Sequence, residues 1–80
     1  MSRSERPVRR LSAMPPGSSG RVQHVTRENR GRAERLEAMG VTPGAPVRVL
    51  QRFPSVVFLC DRTEFAVEPA VAHAIVVDVE

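Results

Sequence analysis

The only two histidines and the only cysteine of this 80-residue sequence, His24, His73 and Cys60, carry the imidazole and thiol groups that could ligate a transition metal or take part in catalysis. Imidazole and thiolate suit iron or zinc, and Asp61 or Glu64 would supply oxygen donors beside them. No pair stands at a recognised ligand spacing, and a single cysteine cannot make a zinc site of the usual cysteine pairs. These three residues therefore support weak transition-metal binding at most, and no cofactor. The plainer reading is two surface histidines and a thiol in the wall of a core. Nucleophilic catalysis by Cys60 would need a thiolate beside a positioned base in a cleft, and the carboxylate of Asp61 next to it opposes ionisation.

Two further stretches invite a chemical reading. Gly17-Ser18-Ser19-Gly20-Arg21 has the glycine content of a phosphate loop. It lacks the Gly-Lys-Ser/Thr ending and precedes a strand, where a phosphate loop precedes a helix, so it reads as a turn. The same Gly-x-x-Gly-x-Val run weakly resembles the KOW motif of ribosomal and transcription proteins, which makes an RNA-binding module one alternative. Arg27, Arg30, Arg32 and Arg35 form the one basic cluster. They are either a solvated helix face or a basic rim for an acidic partner or lipid headgroups, with Phe53-Pro54 adding exposed apolar surface.

Charge along the chain limits the partners. All twelve basic residues are arginine, and the formal net charge is +3. The first ten residues hold Arg3, Arg6, Arg9 and Arg10 against Glu5, whereas residues 11–80 balance eight arginines with eight acids. The body is neutral, which argues against specific nucleic-acid binding and against the KOW reading. It is polarised, with the basic excess before Phe53 and the acidic excess after it. The longest apolar run, Val56 to Cys60, falls far short of the roughly 20 residues of a membrane span. No apolar segment follows the basic N-terminus, so no secretory signal is expected, and one cysteine fits a cytoplasmic protein. Eighty residues make one small domain that buries about 60% of its unfolded surface. That is a thin frame for an enzyme.

The elements that must position these residues follow from periodicity and turn chemistry. Residues 1–10 read as a disordered Arg-rich tail, and residues 11–80 as the folded domain. The dense turn formers Met14 to Gly20 lead into a strand over 21–26. Ala33, Leu36 and Met39 recur at spacing three, which predicts a helix from Arg30 to Met39. Gly40 fits the left-handed position after the last turn, with Leu36 and Val41 placed for the hydrophobic contact of a Schellman motif. Thr42-Pro43-Gly44-Ala45 meets the needs of a type II turn. Strands are predicted over Pro46–Phe53, Ser55–Cys60 and Thr63–Glu68, the last two joined by an Asp61-Arg62 hairpin. A helical turn over Pro69–His73 and a strand through Ile75, Val77 and Val79 complete the chain. Gly17, Gly20, Gly40, Pro43 and Gly44 are expected to be structural turn residues. The pattern is mainly β, a small, partly closed five-stranded barrel with one short helix after the first strand.

The order of these residues resembles a known family. It shows a Leu11 start, Pro16-Gly17 with Gly20 and Val22, and Arg35-Leu36 leading into Met39-Gly40-Val41-Thr42-Pro43-Gly44. Val47 and Val49 follow, then Phe53-Pro54-Ser55, Thr63-Glu64-Phe65-Ala66-Val67, and Ala72 through Ile75-Val76-Val77. From Leu11 to Val79 this is similar to the FeoA (ferrous iron transport protein A) family, whose SH3-like barrel also forms the C-terminal domain of DtxR-type metal-dependent repressors. The resemblance implies an SH3-like fold and a non-enzymatic cytoplasmic accessory of ferrous iron transport. Its partner would be the cytoplasmic portion of a FeoB-like transporter, and its state a monomer or weak homodimer. The family has no agreed catalytic or metal-ligating residues to carry over. A stand-alone metal-responsive domain related to the repressor module is a second alternative.

Overall fold

Apolar residues at alternate positions in Pro46–Gln51 and Val56–Cys60 turn Val47, Val49, Val56, Phe58 and Cys60 to one side of a sheet and bury them there. That one-sided burial organises the molecule. The computed structural model describes residues 7–27 and 30–80, with Arg30 described in its backbone only. In chain order the elements are β1 (Val8–Arg10), a 3-10 turn (Leu11–Ala13), β2 (Ser19–Val25), α1 (Arg30–Ala38), β3 (Pro46–Gln51), β4 (Val56–Cys60), β5 (Thr63–Val67), α2 (Pro69–His73) and β6 (Ile75–Val79). The strands form one antiparallel sheet in the order β1-β6-β2-β3-β4-β5.

The inward residues of the sheet meet Leu11 and Met14 from the first turn, Ala33 and Leu36 from α1, and Ala72 from α2. Each large side chain fully buried here contributes about 1.5–3 kcal/mol by leaving water. Phe58 and Phe65 stand opposite each other on β4 and β5, with ring centroids 5.2 Å apart and planes within 12°. Such a pair adds about 0.5–1.5 kcal/mol beyond its buried area.

The predicted helix stop is present in full. The Val41 amide donates to the Leu36 carbonyl at 3.0 Å, and the Gly40 amide donates to the Glu37 carbonyl at 3.1 Å. Gly40 has φ +105°, and both Leu36 and Val41 are buried. These are the two hydrogen bonds and the apolar contact of a Schellman motif. The type II turn follows: Ala45 donates to the Thr42 carbonyl at 3.0 Å, with Gly44 at φ +92°. The turn is docked on β2, since Gly44 donates to Val22 and Val22 donates to Ala45 at 2.7 and 2.9 Å.

Several expectations are corrected by the structure. The sheet has six strands, because Val8–Arg10, assigned from sequence to the tail, pairs with β6 as β1. Val8 remains half exposed, so main-chain pairing holds this strand more than burial does. The Val79 amide donates to the Pro7 carbonyl at 2.8 Å, and Arg10 Nη1 donates to the His73 carbonyl at 3.0 Å. The rest of the expected tail, residues 1–6, lies outside the described residues. Gly20 is in strand β2, not in a turn. A Cβ there would collide with the Asp78 carbonyl oxygen and approach Val77 Cγ1 to 2.8 Å, so glycine is required by the closeness of β2 to β6. β3 ends at Gln51, two residues short of Phe53, after a register shift between Val49 and Gln51.

Candidate partner-binding face

α1 buries Ala33 and Leu36 on its inner side, which leaves Gly31, Arg32, Glu34 and Arg35 facing solvent. Arg32 Nη1 lies 3.3 Å from Glu68 Oε1, just ahead of α2, and Arg27 Nη2 lies 3.7 Å from Glu37 Oε2. Arg27, Arg32 and Glu68 are exposed and Glu37 is partly buried; at such surface positions each pair contributes about 0–1 kcal/mol, and Arg32 readily exchanges Glu68 for another carboxylate. Arg35 makes no ion pair among the described residues and sits in the last turn of α1, where the helix dipole favours a cation. The predicted basic cluster is thus divided: among the described residues Arg27 and Arg32 are paired and Arg35 is not, while the Arg30 side chain lies outside what is described.

Between α1 and the free edge of β5 runs a groove of about 340 Å³. Arg32 and Arg35 form one wall, Leu36, Met39 and Val71 give it apolar surface, and Glu68 marks its acidic end. A smaller cavity of about 50 Å³ continues beneath Arg32 toward Val25, Ala33 and Ala74. Met39 is half exposed although the spacing of Ala33 and Leu36 suggested a core position. The helix ends one residue before it, so its side chain lies at the rim. Val71 and Glu68 were not singled out from sequence. The signal was the apolar helical turn of α2, whose placement beside α1 is set only by the fold.

Phe53 is 84% exposed in the loop joining β3 and β4. Val56 pairs with Val67, so this loop stands at the end of the sheet where β5 leads into Glu68 and α2. It does not line the groove.

Of the metal-binding candidates, Cys60 is buried and stands apart from His24. Cys60 is 2% exposed, and its Sγ donates to the Gly40 carbonyl at 3.6 Å. Burial, and secondarily the charge of Asp61, push its thiol pKa up. The register aligns Gly20, Val47 and Cys60 in one row. His24 is therefore two strands away and four residues along, roughly 13 Å in the strand direction alone. His24 and His73 are both exposed, and no three His, Cys, Asp or Glu side chains gather to hold an ion among the described residues. Among the described residues the donors present do not gather into a metal centre within one chain, and no step through a metal is derived from them.

Of the turn residues, Gly17, Gly40 and Gly44 all have positive φ, Pro43 precedes Gly44 in its turn, and Gly20 acts by close approach. No helix among the described residues is long and apolar enough to cross a membrane.

Comparison with known proteins agrees with this architecture. An iron uptake regulatory protein (FeoA) crystal structure superposes with TM-score 0.80 at 29% identity, covering 92% of this chain and 99% of that one. FeoA of Stenotrophomonas maltophilia was solved with zinc and is put forward as a prokaryotic SH3-domain ferrous iron transport activating factor. It superposes with TM-score 0.77 at 30% identity, over 85% of this chain and 87% of that one. A manganese-dependent transcriptional repressor shares the fold, with TM-score 0.85 at 23% identity, and the match covers 95% of this chain but 44% of the repressor. No curated protein sequence matches the chain. The FeoA domain family matches residues 9–79, almost the whole sheet together with its helices and turns, and the chain belongs to that family.

Proposed function

We propose that this protein is a non-enzymatic cytoplasmic accessory of ferrous iron transport that docks on the cytoplasmic portion of a FeoB-like transporter. The observation that carries the reading is the groove beside α1, where exposed Arg35 and the exchangeable Arg32 border apolar Leu36, Met39 and Val71. A basic wall beside an apolar floor suits a partner segment that carries acidic and apolar side chains together. Arg32 is held only by an exposed carboxylate, so a partner acid can replace Glu68 with little loss. Family membership supplies the transport context, since the two FeoA proteins compared above are described in terms of iron uptake and its activation.

The test is binding of the Arg32→Glu/Arg35→Glu variant to the FeoB cytoplasmic domain at low and high ionic strength. Both positions are exposed, so the variant should fold. Association should slow at least tenfold at low salt, and the difference should shrink as salt screens the charges. Unchanged binding at both salt concentrations would remove this face from the interface and leave the Phe53 loop to be tested next.

A further inference from the structure

The sheet has two edge strands, β1 and β5. β1 is blunted in the usual ways: it is three residues long, follows Pro7 and carries Arg9 and Arg10. β5 is not. Thr63–Val67 holds no proline and no basic residue, and it pairs with β4 from end to end without a bulge. Its open main-chain groups follow from the register. The Asp61 amide donates to the Pro46 carbonyl, so Leu59, two residues back, also turns its main-chain groups toward β3. Cys60 and Phe58 turn theirs toward β5, onto Thr63 and Phe65. Glu64 and Ala66 therefore point N–H and C=O away from the sheet, and these four groups have no partner among the described residues. α1 runs beside this edge in the opposite direction. Near its start Arg32 lies 3.3 Å from Glu68, just beyond β5, and past its end the Gly40 carbonyl accepts from Cys60, in the row where β5 begins. The groove of about 340 Å³ lies between the two elements, along the open edge.

We propose that the edge of β5 accepts an extended segment of the partner as a seventh strand, laid in the groove between β5 and α1. This rests on the groove being the docking face argued above, and adds the form of what docks there. Glu64 and Ala66 supply two donors and two acceptors to the segment's main chain, while side chains select its sequence. Added antiparallel, as every pair in this sheet is, the segment runs from the row of Val67 to the row of Thr63. Its residues opposite Val67, Phe65 and Thr63 face the helix. The first meets Arg32 and Arg35, and the next two meet Leu36 and Met39. The spacing fits: the helix rises about 6 Å from Arg35 to Met39, and alternate residues of a strand stand about 6.8 Å apart. The segment accepted is thus acidic-x-apolar-x-apolar. The chain's own N-terminal residues bring the wrong charge, with Arg3 and Arg6 against Glu5. The β5 of a second copy is no better, because its inward Phe65 is committed to its own core.

The test reads the main chain, which docking by side chains alone leaves unchanged. Amide exchange of the full, isotope-labelled protein is followed by NMR in three states: free, with the FeoB cytoplasmic domain, and with the end-blocked peptide Ser-Glu-Thr-Val-Thr-Val-Ser, each probe near saturation. In the free protein the Glu64 and Ala66 amides should exchange roughly tenfold faster than those of Phe65 and Val67, and either probe should slow them roughly fivefold or more. Ala66→Pro removes an edge-facing amide without touching the bonds to β4, and should weaken peptide binding about tenfold. Ala66→Ser keeps that amide and should bind like wild type. If Ala66→Pro does not fold, exchange in the wild type decides alone. A probe that binds without protecting these amides overturns strand addition, and with the FeoB domain it leaves groove docking standing. Protection by neither probe overturns it too, as does protection that grows with the protein's own concentration and assigns the edge to a second copy. A chain that takes up the peptide in this way but ignores the FeoB domain keeps the strand-accepting edge and refutes the FeoB reading.

Discussion

Replacing Gly20 with alanine is the smallest change that should disrupt this fold the most. Gly20 pairs with Val79, and its neighbours Arg21 and Val22 pair with Asp78 and Val77. A methyl group there falls well inside the van der Waals radius of the Asp78 carbonyl oxygen and 2.8 Å from Val77 Cγ1. The obstacle is main chain on a paired strand, so β2 and β6 must separate by the better part of an ångström. Overpacking of this kind costs about 1–3 kcal/mol. Separation also strains adjacent ladder bonds, such as that from the Glu80 amide to the Ser19 carbonyl, each contributing about 1 kcal/mol. A total near 3 kcal/mol is a large share of the roughly 4–12 kcal/mol expected for a chain this long. At about 4–8 °C per kcal/mol in a domain of this size, Tm should fall by about 12–24 °C. Gly17 is the control. It has φ +91° with nothing within 4 Å of an added Cβ, so alanine there meets only backbone strain of about 1–2 kcal/mol. Thermal and urea unfolding of the two variants, followed by circular dichroism, would rank them. If Gly20→Ala is as mild as Gly17→Ala or milder, the close approach of β2 to β6 is not what demands glycine.

The other expectations concern the helix stop and the buried thiol. Gly40→Val should lose at least about 1–2 kcal/mol in urea unfolding, because φ +105° is forced by two main-chain hydrogen bonds that a β-branched residue disfavours. Cys60 should react with an aromatic disulfide reagent far more slowly in the native protein than in urea, since it is buried and its thiol is held neutral. Its folded pKa lies above its unfolded value, so the associated stability is intact below the ordinary thiol range. That stability should be lost as pH rises through and beyond that range, because the unfolded chain ionises first. Urea midpoints measured for wild type and Cys60→Ser across alkaline pH would show a steeper decline in the wild type.

Much of this structure was legible in local chemistry. The run from Leu36 to Ala45 fixes a helix end, a Schellman stop and a type II turn through the identity of two glycines and one proline; the stop and the turn occur as read, and the helix ends one residue earlier, at Ala38. The strands β3 and β5 followed from alternation, β4 from a short continuous apolar run, and the β4–β5 link from a two-residue hairpin, because side-chain pattern and turn residues are properties of short segments. The matched order of glycines and aliphatics was enough to place the chain in its family. What failed to show was set by pairing between distant segments. β1 is held to β6 by main-chain hydrogen bonds that any sequence can make, so its three residues carry no apolar signature. Gly20 looked like one more turn glycine, and only the register of β2 against β6 reveals the carbonyl that excludes a side chain. The same holds for the candidate surfaces. The arginines of α1 were visible, but the tethering of Arg32 to Glu68 and the groove beside Val71 required a segment 36 positions further along the chain to return to the helix. The sequence by itself determined the turns, the strands and the list of charges. Tertiary structure decided which charges are neutralised and which remain for a partner, because that depends on distances between residues the chain order keeps far apart.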